Sequence, residues 1–169
     1  MRAVEHFVHG IEAVVRLFGW IAAWTCVVLV GLVAGDVLMR YAFSIGAVWL
    51  QELQWHLISP IALFGMSYLL LMGEQVRVDV FYERFPVKVQ RVIEVIGGLL
   101  LLAMGLYIAW LTLPWVAQSF VRGESSPNPG GLPFRWLLKS FIPFGFALLA
   151  LQGLAHALRQ GLALPTRGE

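Results

Sequence analysis

The side chains of this chain that could carry chemistry are a few ionisable groups inside or beside long apolar segments. His56 lies one helical turn into such a segment, with Glu52 four residues before it and Ser59 three residues after it, all on one helical face. Ionisable side chains inside a membrane are costly and are commonly functional. His56 could therefore bind haem or relay protons, or it could be a neutral histidine that hydrogen-bonds within a helix bundle.

Metal and cofactor sites find little support in the residue spacing. A bis-histidine haem site would need a second histidine at the depth of His56, but His156 lies near the other end of its apolar segment. His6 and His9 are three residues apart, and two histidines alone make a weak metal site. Cys26 is the single cysteine, which excludes a multi-cysteine cluster. We expect no metal and no cofactor; a redox anchor that binds haem or quinone through His56 remains the alternative.

Glu52 has a different possible role. A proton-coupled carboxylate would suit a small, self-sufficient exporter, but Glu52 lies at the edge of its apolar segment and not at mid-bilayer. Asp36 and Arg40 are four residues apart, a spacing that permits an ion pair within one helix. We predict that Asp36, Arg40 and Glu52 form one structural polar cluster at the external end of the first two membrane spans.

Membrane-spanning helices must position these groups. Hydrophobic residues make up 59% of the 169 residues and charged residues 13%, against about 45–50% and roughly 25% in soluble domains. This composition excludes disorder, and a net charge of +2 gives no reason to expect nucleic-acid binding. Since a span needs about 20 apolar residues, the chain is predicted to be an all-α integral membrane protein with four transmembrane helices. The spans are expected at about 17–38, 53–73, 92–114 and 136–158 within a single domain, 1–169.

Basic residues predict the orientation of these spans. Segments 1–16, 74–94 and 159–169 lie on one side of the membrane and together carry eight Lys and Arg residues, whereas the loops on the other side carry four. Cytoplasmic loops are enriched in Lys and Arg. Both termini, including the tail at 159–169, are therefore expected in the cytoplasm.

Residues 1–16 form an amphipathic arm. Its apolar side chains recur at helical spacing, and Glu5, His9, Glu12 and Arg16 follow the opposite face. Such a helix either lies in the headgroup plane or extends the first span. The apolar face comprises Val4, Phe7, Val8, Ile11, Val14 and Val15.

The cytoplasmic loop contains a second amphipathic segment. Asp79 can cap a short helix that starts near Val80 and that Pro86 interrupts. The alternation at 76–80 could instead form a short strand. We favour an irregular start followed by the helix, which we expect to press its apolar face into the membrane interface.

The loop at 122–134 has the opposite character. It contains three prolines and three glycines, so it is predicted to be a turn-rich external loop. Pro114 lies near the outer end of the third span, and residues 115–121 are expected to run along the outer interface.

Small residues mark the points where helices can approach closely. Gly31 and Gly35 form a GxxxG motif in the first span, and Gly105 and Ala109 provide a similar pair in the third. We expect at least one of these sets to face another helix, inside the bundle or on a partner.

Short motifs follow one another in a characteristic order, from DVLMRYAF at 36–43 through GEQVRVDV at 73–80 to IPFGF at 142–146. This order resembles the small membrane subunit, of the DctQ type, of TRAP (tripartite ATP-independent periplasmic) transporters. The resemblance covers nearly the whole chain. Its motif positions are Trp49, Gly65, Gly73, Arg77, Asp79, Pro86, Pro133, Pro143 and Gly145.

The resemblance implies a function and partners. In such systems a large permease subunit carries solute and sodium by an elevator motion, and a periplasmic binding protein delivers the solute, typically an organic acid. The small subunit resembles a static scaffold beside the large one in the bacterial inner membrane. The expected partners are therefore the large permease subunit, the periplasmic solute-binding protein and membrane lipid. No catalytic residues are expected.

Overall fold

The structure is a computed structural model that describes residues 2–74, 82 and 85–162. Its regular elements in these ranges are four α-helices, each long and apolar enough to cross a membrane. The predicted all-α class with four membrane helices is therefore confirmed. The helices are α1 (Arg2–Phe43), α2 (Val48–Met72), α3 (Val87–Val121) and α4 (Arg135–Leu162).

Helix α4 lies at the centre of the arrangement. It packs most extensively against α3, and it also contacts α2 and α1, which pack against each other. Consistent with this position, α4 buries the largest share of its apolar segment. Helix α3 is therefore held mainly through α4 and presents most of its other faces outward.

Glycines bring α3 and α4 into backbone contact. A Cβ atom on Gly98 would lie 2.7 Å from the carbonyl oxygen of Gly153, and one on Gly105 would lie 2.7 Å from that of Phe146. In contrast, a Cβ atom on Gly31 or Gly35 would have no neighbour within 4 Å in residues 2–74, 82 and 85–162. Gly105 thus lies at a close approach inside the chain, whereas the GxxxG motif of α1 faces outward.

The N-terminal arm is continuous with the first span, because α1 begins at Arg2. Val8, Ile11 and Val15 are buried in the same apolar cluster as Phe64 and Leu148. The arm therefore extends the first span and packs inside the protein, which decides between the two arrangements that the sequence left open. Two members of the expected apolar face depart from it, since Phe7 and Val14 are exposed.

Two prolines mark the course of α3, and Pro114 departs from the sequence expectation. Helix α3 continues through Pro114 to Val121, so residues 115–121 belong to the helix and not to a separate interfacial segment. Pro86 directly precedes α3, and its carbonyl oxygen accepts hydrogen bonds from the first turn. It thus begins a long helix. Asp79 and Val80, the expected start of a short helix, lie outside the described residues.

Candidate functional site

A single carboxylate near the N-terminal end of α2 fixes the loop at 122–134 to that helix. Glu52 Oε1 accepts hydrogen bonds from the hydroxyl of Ser126 and, at 3.0 Å, from the side-chain amide of Asn128. Glu52 Oε2 accepts a hydrogen bond from the backbone N–H of Leu132 at 2.7 Å. One side chain of α2 thereby binds the loop at three points.

Two members of the expected polar cluster of Asp36, Arg40 and Glu52 are paired with each other, whereas the described hydrogen bonds of the Glu52 side chain go to the loop. Arg40 Nη2 donates to Asp36 Oδ2 at 2.9 Å within α1, so these two residues form the ion pair that their spacing permits. The Glu52 carboxylate instead accepts three hydrogen bonds from the loop at 122–134. The physical reason is that the folded loop presents a hydroxyl, an amide and a backbone N–H together, which satisfies both carboxylate oxygens.

The loop also holds its own shape. The N–H of Ser126 donates to the carbonyl of Leu132 at 3.1 Å, and the N–H of Gly131 donates to that of Asn128 at 3.0 Å. A Cβ atom on Gly131 would overlap both the Ser126 side chain and the Glu52 carboxylate. Glycine is therefore required where the loop closes over Glu52.

A second carboxylate, Glu124, anchors the beginning of the loop. It accepts hydrogen bonds from Lys139 Nζ of α4 at 2.5 Å and from Ser119 Oγ of α3 at 2.7 Å. The Lys139 ammonium also lies 4.4 Å from the centre of the Trp115 ring, a cation–π contact. The hydrogen bond from Lys139, followed by that from Ser119, lowers the pKa of Glu124. The ionised loop carboxylate thus joins α3 to α4.

The sequence reasoning missed this second anchor. Glu124 is the one acidic residue of the loop, and Lys139 lies one turn into the helix that follows it. The pairing of one acid with one nearby base could have predicted the contact between Glu124 and Lys139. The contact with Ser119 was harder to predict, because it depends on the last turn of α3 being helical. The partners of Glu52 carried no comparable signal, because serine and asparagine are ordinary loop residues.

Ion pairs tie the opposite end of the bundle. Arg159 Nη2 of α4 lies 2.7 and 2.8 Å from the two oxygens of Glu12 in α1, and Glu12 is 6% exposed. His156, one turn earlier, hydrogen-bonds through Nε2 to Glu94 Oε2 of α3 at 2.7 Å, and the Tyr82 hydroxyl donates to the other oxygen of Glu94 at 2.7 Å. Helix α4 thereby joins α1 and α3 at this end.

His56 is held by its own helix. Its Nδ1–H donates to the backbone carbonyl of Glu52 at 2.6 Å. Nε2 is buried and has no hydrogen-bond partner among the described residues. His156 lies at the other end of the bundle, where it contacts Glu94. Among the residues that the structure describes, no three His, Cys, Asp or Glu side chains are grouped for a metal ion.

The other motif positions have mainly structural surroundings. Gly73 ends α2 in the left-handed conformation, with φ of 74°. Gly145 lets α4 approach Leu63 of α2, where a Cβ atom would be too close. Arg77 and Asp79 lie outside the described residues. Of the rest, Pro143 is buried, Gly65 and Ala109 are half-buried, and Trp49 and Pro133 are exposed.

The site therefore consists of the loop at 122–134, which side chains from α2, α3 and α4 hold in place. Ion pairs and hydrogen bonds join the helices at the opposite end of the bundle. One family profile, for tripartite ATP-independent periplasmic transporters, DctQ component, matches residues 29–162. That range includes the GxxxG motif of α1, Glu52, the whole loop and α4. No individual curated protein matches this chain significantly. Since the profile covers most of the chain, the protein belongs to the DctQ family, a component of TRAP transporters.

Proposed function

We propose that this chain is the non-catalytic scaffold subunit of a sodium-coupled TRAP transporter for organic acids. In this role it anchors the large permease subunit in the bacterial inner membrane and helps to dock the periplasmic solute-binding protein. Family membership supports the place in a transporter. The positive-inside bias of the loops supports cytoplasmic termini, which puts the loop at 122–134 in the periplasm.

The observation that carries the docking role is the fixed loop. Glu52 and Glu124 hold residues 122–134 through hydrogen bonds that involve side chains of α2, α3 and α4, all within this chain. A surface that is already ordered loses less conformational entropy on binding than a mobile one. A binding protein that arrives from the periplasm would therefore meet a preformed platform.

The observation that supports the anchoring role is the outward face of α1. Gly31 and Gly35 have open space beside them, and they lie on the helix that also exposes Trp20 and Trp24. Lipid gains little from small residues, whereas another helix can approach them closely. We expect an apolar helix of the large subunit to pack on this face.

Reconstitution tests the proposal directly. The chain is co-expressed with the large subunit, the complex is placed in liposomes, and sodium-driven uptake is measured after the binding protein and an organic acid are added. We expect uptake to require both membrane subunits and the binding protein. Transport by this chain alone would contradict the scaffold role and favour the exporter that uses Glu52. A Soret band in the purified chain would favour the redox anchor that uses His56.

A further inference from the structure

A polar groove lies between the end of α1 and the beginning of α2, apart from the fixed loop. Its volume is about 470 Å³, and its polar wall contains Asp36, Arg40 and Gln54. Tyr41 and Trp55 also line it, and their side chains are 87% and 68% exposed. The groove opens to the outside of the chain between two membrane helices, so its natural occupant is a molecule that comes from the membrane.

Side chains that line the groove carry hydrogen-bond donors that have no acceptor within the part of the chain that the structure describes. The pair with Asp36 engages Arg40 Nη2, and a guanidinium has five N–H donors. Gln54 lines the groove; its Nε2 is buried with no hydrogen-bond partner among the described residues, and rotation of the amide turns it toward the groove. A buried donor without an acceptor is costly. These two side chains therefore suit a ligand that carries several acceptor oxygens, such as a phosphate.

The carboxylate in the same wall adds a second requirement. Asp36 is 7% exposed, so a ligand group that contacts it must replace water with its own N–H donors. The ligand thus needs a negative group for Arg40 and a positive, hydrogen-bonding group for Asp36. A purely anionic molecule would pair with Arg40 but would be repelled by the carboxylate of Asp36.

The position of the groove matches the depth of a lipid headgroup. It lies beside residues 44–47, which connect two helices long enough to span a membrane. Tyr and Trp side chains concentrate at the membrane–water interface. Val33 and Val37 line the part of the groove that runs along α1 away from this connection, which provides apolar surface for an acyl chain.

We propose that this groove binds a phospholipid whose headgroup carries a primary ammonium, the chemistry of phosphatidylethanolamine. Its phosphate accepts hydrogen bonds from Arg40 and, after rotation of the amide, from Gln54. Its ammonium donates to Asp36. Phosphatidylcholine lacks the N–H donors for Asp36, and phosphatidylglycerol lacks the positive charge. This inference is independent of the proposed scaffold function.

The test measures which lipids stay bound to the full chain. The protein is purified from nanodiscs that contain equal amounts of phosphatidylethanolamine, phosphatidylcholine and phosphatidylglycerol, and retained lipid is identified by native mass spectrometry. We expect one retained phosphatidylethanolamine, enriched at least several-fold over the other two lipids. Equal retention of the three lipids, or enrichment of phosphatidylglycerol, would overturn the proposal.

Variants assign the retained lipid to the groove. Arg40→Gln removes the phosphate contact, and Gln54→Leu removes the second donor while the Asp36–Arg40 pair stays intact; each is expected to reduce retention several-fold. Arg122→Gln is the matched control, because this exposed arginine lies at the same end of the bundle outside the groove.

Asp36→Asn is expected to abolish the preference for phosphatidylethanolamine over phosphatidylglycerol. Unchanged retention in Gln54→Leu and Arg40→Gln would refute the site.

The complex with the large subunit provides the last discriminating measurement. If the same lipid is retained in the assembled complex and lost in its Arg40→Gln form, the groove is a lipid site in the working transporter. If assembly expels the lipid from the wild-type chain, the groove is a surface for the large subunit, and the lipid proposal is wrong.

Discussion

Glu52, near the N-terminal end of α2, accepts a 2.7 Å hydrogen bond through Oε2 from the backbone N–H of Leu132, eighty residues later in the chain. The other carboxylate oxygen holds Ser126 and Asn128. One side chain from a distant helix thus holds a loop of three prolines and three glycines at three points, in addition to the hydrogen bonds within the loop and the Glu124 anchor. This relationship links a residue near a helix end to the surface that we propose for docking of the periplasmic binding protein.

We predict that Glu52→Gln loosens the loop at 122–134 without unfolding the bundle. The neutral amide keeps the size of the side chain but replaces one acceptor oxygen with a donor, so the three hydrogen bonds cannot all form. Limited proteolysis within the loop should accelerate several-fold, and the affinity of the binding protein for the reconstituted complex should fall. Glu74→Gln, an exposed glutamate at the opposite end of α2, serves as the control. Proteolysis and docking unchanged in Glu52→Gln would argue against the loop as a platform.

A paired substitution tests the contact between α3 and α4. In Gly98→Ala the new Cβ would lie 2.7 Å from the carbonyl oxygen of Gly153, and overpacking of this kind costs about 1–3 kcal/mol. Gly97→Ala, the neighbouring position, has open space and should be neutral or slightly stabilising because alanine favours helix. Thermal unfolding in detergent measures both. The close approach would be in doubt if the two variants had the same stability.

The helices could be predicted from the sequence because their apolar length is a local property. Contacts between helices could not, since a membrane helix is apolar on lipid-facing and protein-facing sides alike, and periodicity does not reveal which side of Gly98 faces Gly153. The partner of Glu52 was also beyond local reasoning, because it depends on how turns fold residues 122–134. In contrast, the pairing of Asp36 with Arg40 depends on spacing within one helix and could be read directly.

Replacement of Gly31 and Gly35 with leucine should separate folding from assembly. Both glycines have open space within the chain, so the double variant is expected to keep the thermal stability of the isolated subunit. If an apolar helix of the large subunit packs there, the two new side chains will hold it away, and co-purification and uptake should be lost. Solute binding to the free periplasmic protein should be unaffected. Full assembly of the double variant would leave the GxxxG motif without a role in subunit contact.

The Glu124 anchor should weaken in acid. Its folded-state pKa is lowered, first by the hydrogen bond from Lys139, so its contribution to stability is present above the usual glutamate pKa. That contribution is lost as the pH falls through the lowered, folded-state value. The difference in thermal stability between wild type and Glu124→Gln should therefore be largest at neutral pH and should disappear in strong acid. A difference that stayed constant across this range would show that Glu124 acts through packing and not through its charge.

The pair of Glu12 and Arg159 allows a similar dissection at the other end of the bundle. Glu12 is 6% exposed, and both of its oxygens lie within 2.8 Å of Arg159 Nη2. Removing one partner of a buried pair leaves an uncompensated charge and costs about 3–5 kcal/mol. Arg159→Gln should accordingly lower the thermal stability strongly, whereas Arg16→Gln, an exposed arginine of the same arm, should not. Since the amide pair can hydrogen-bond without a buried charge, the double variant Glu12→Gln/Arg159→Gln should recover much of the loss. A double variant as unstable as Arg159→Gln alone would contradict the explanation by an unpaired buried charge. It would mean that packing of Val8, Ile11 and Val15 depends on the ionic contact between Glu12 and Arg159.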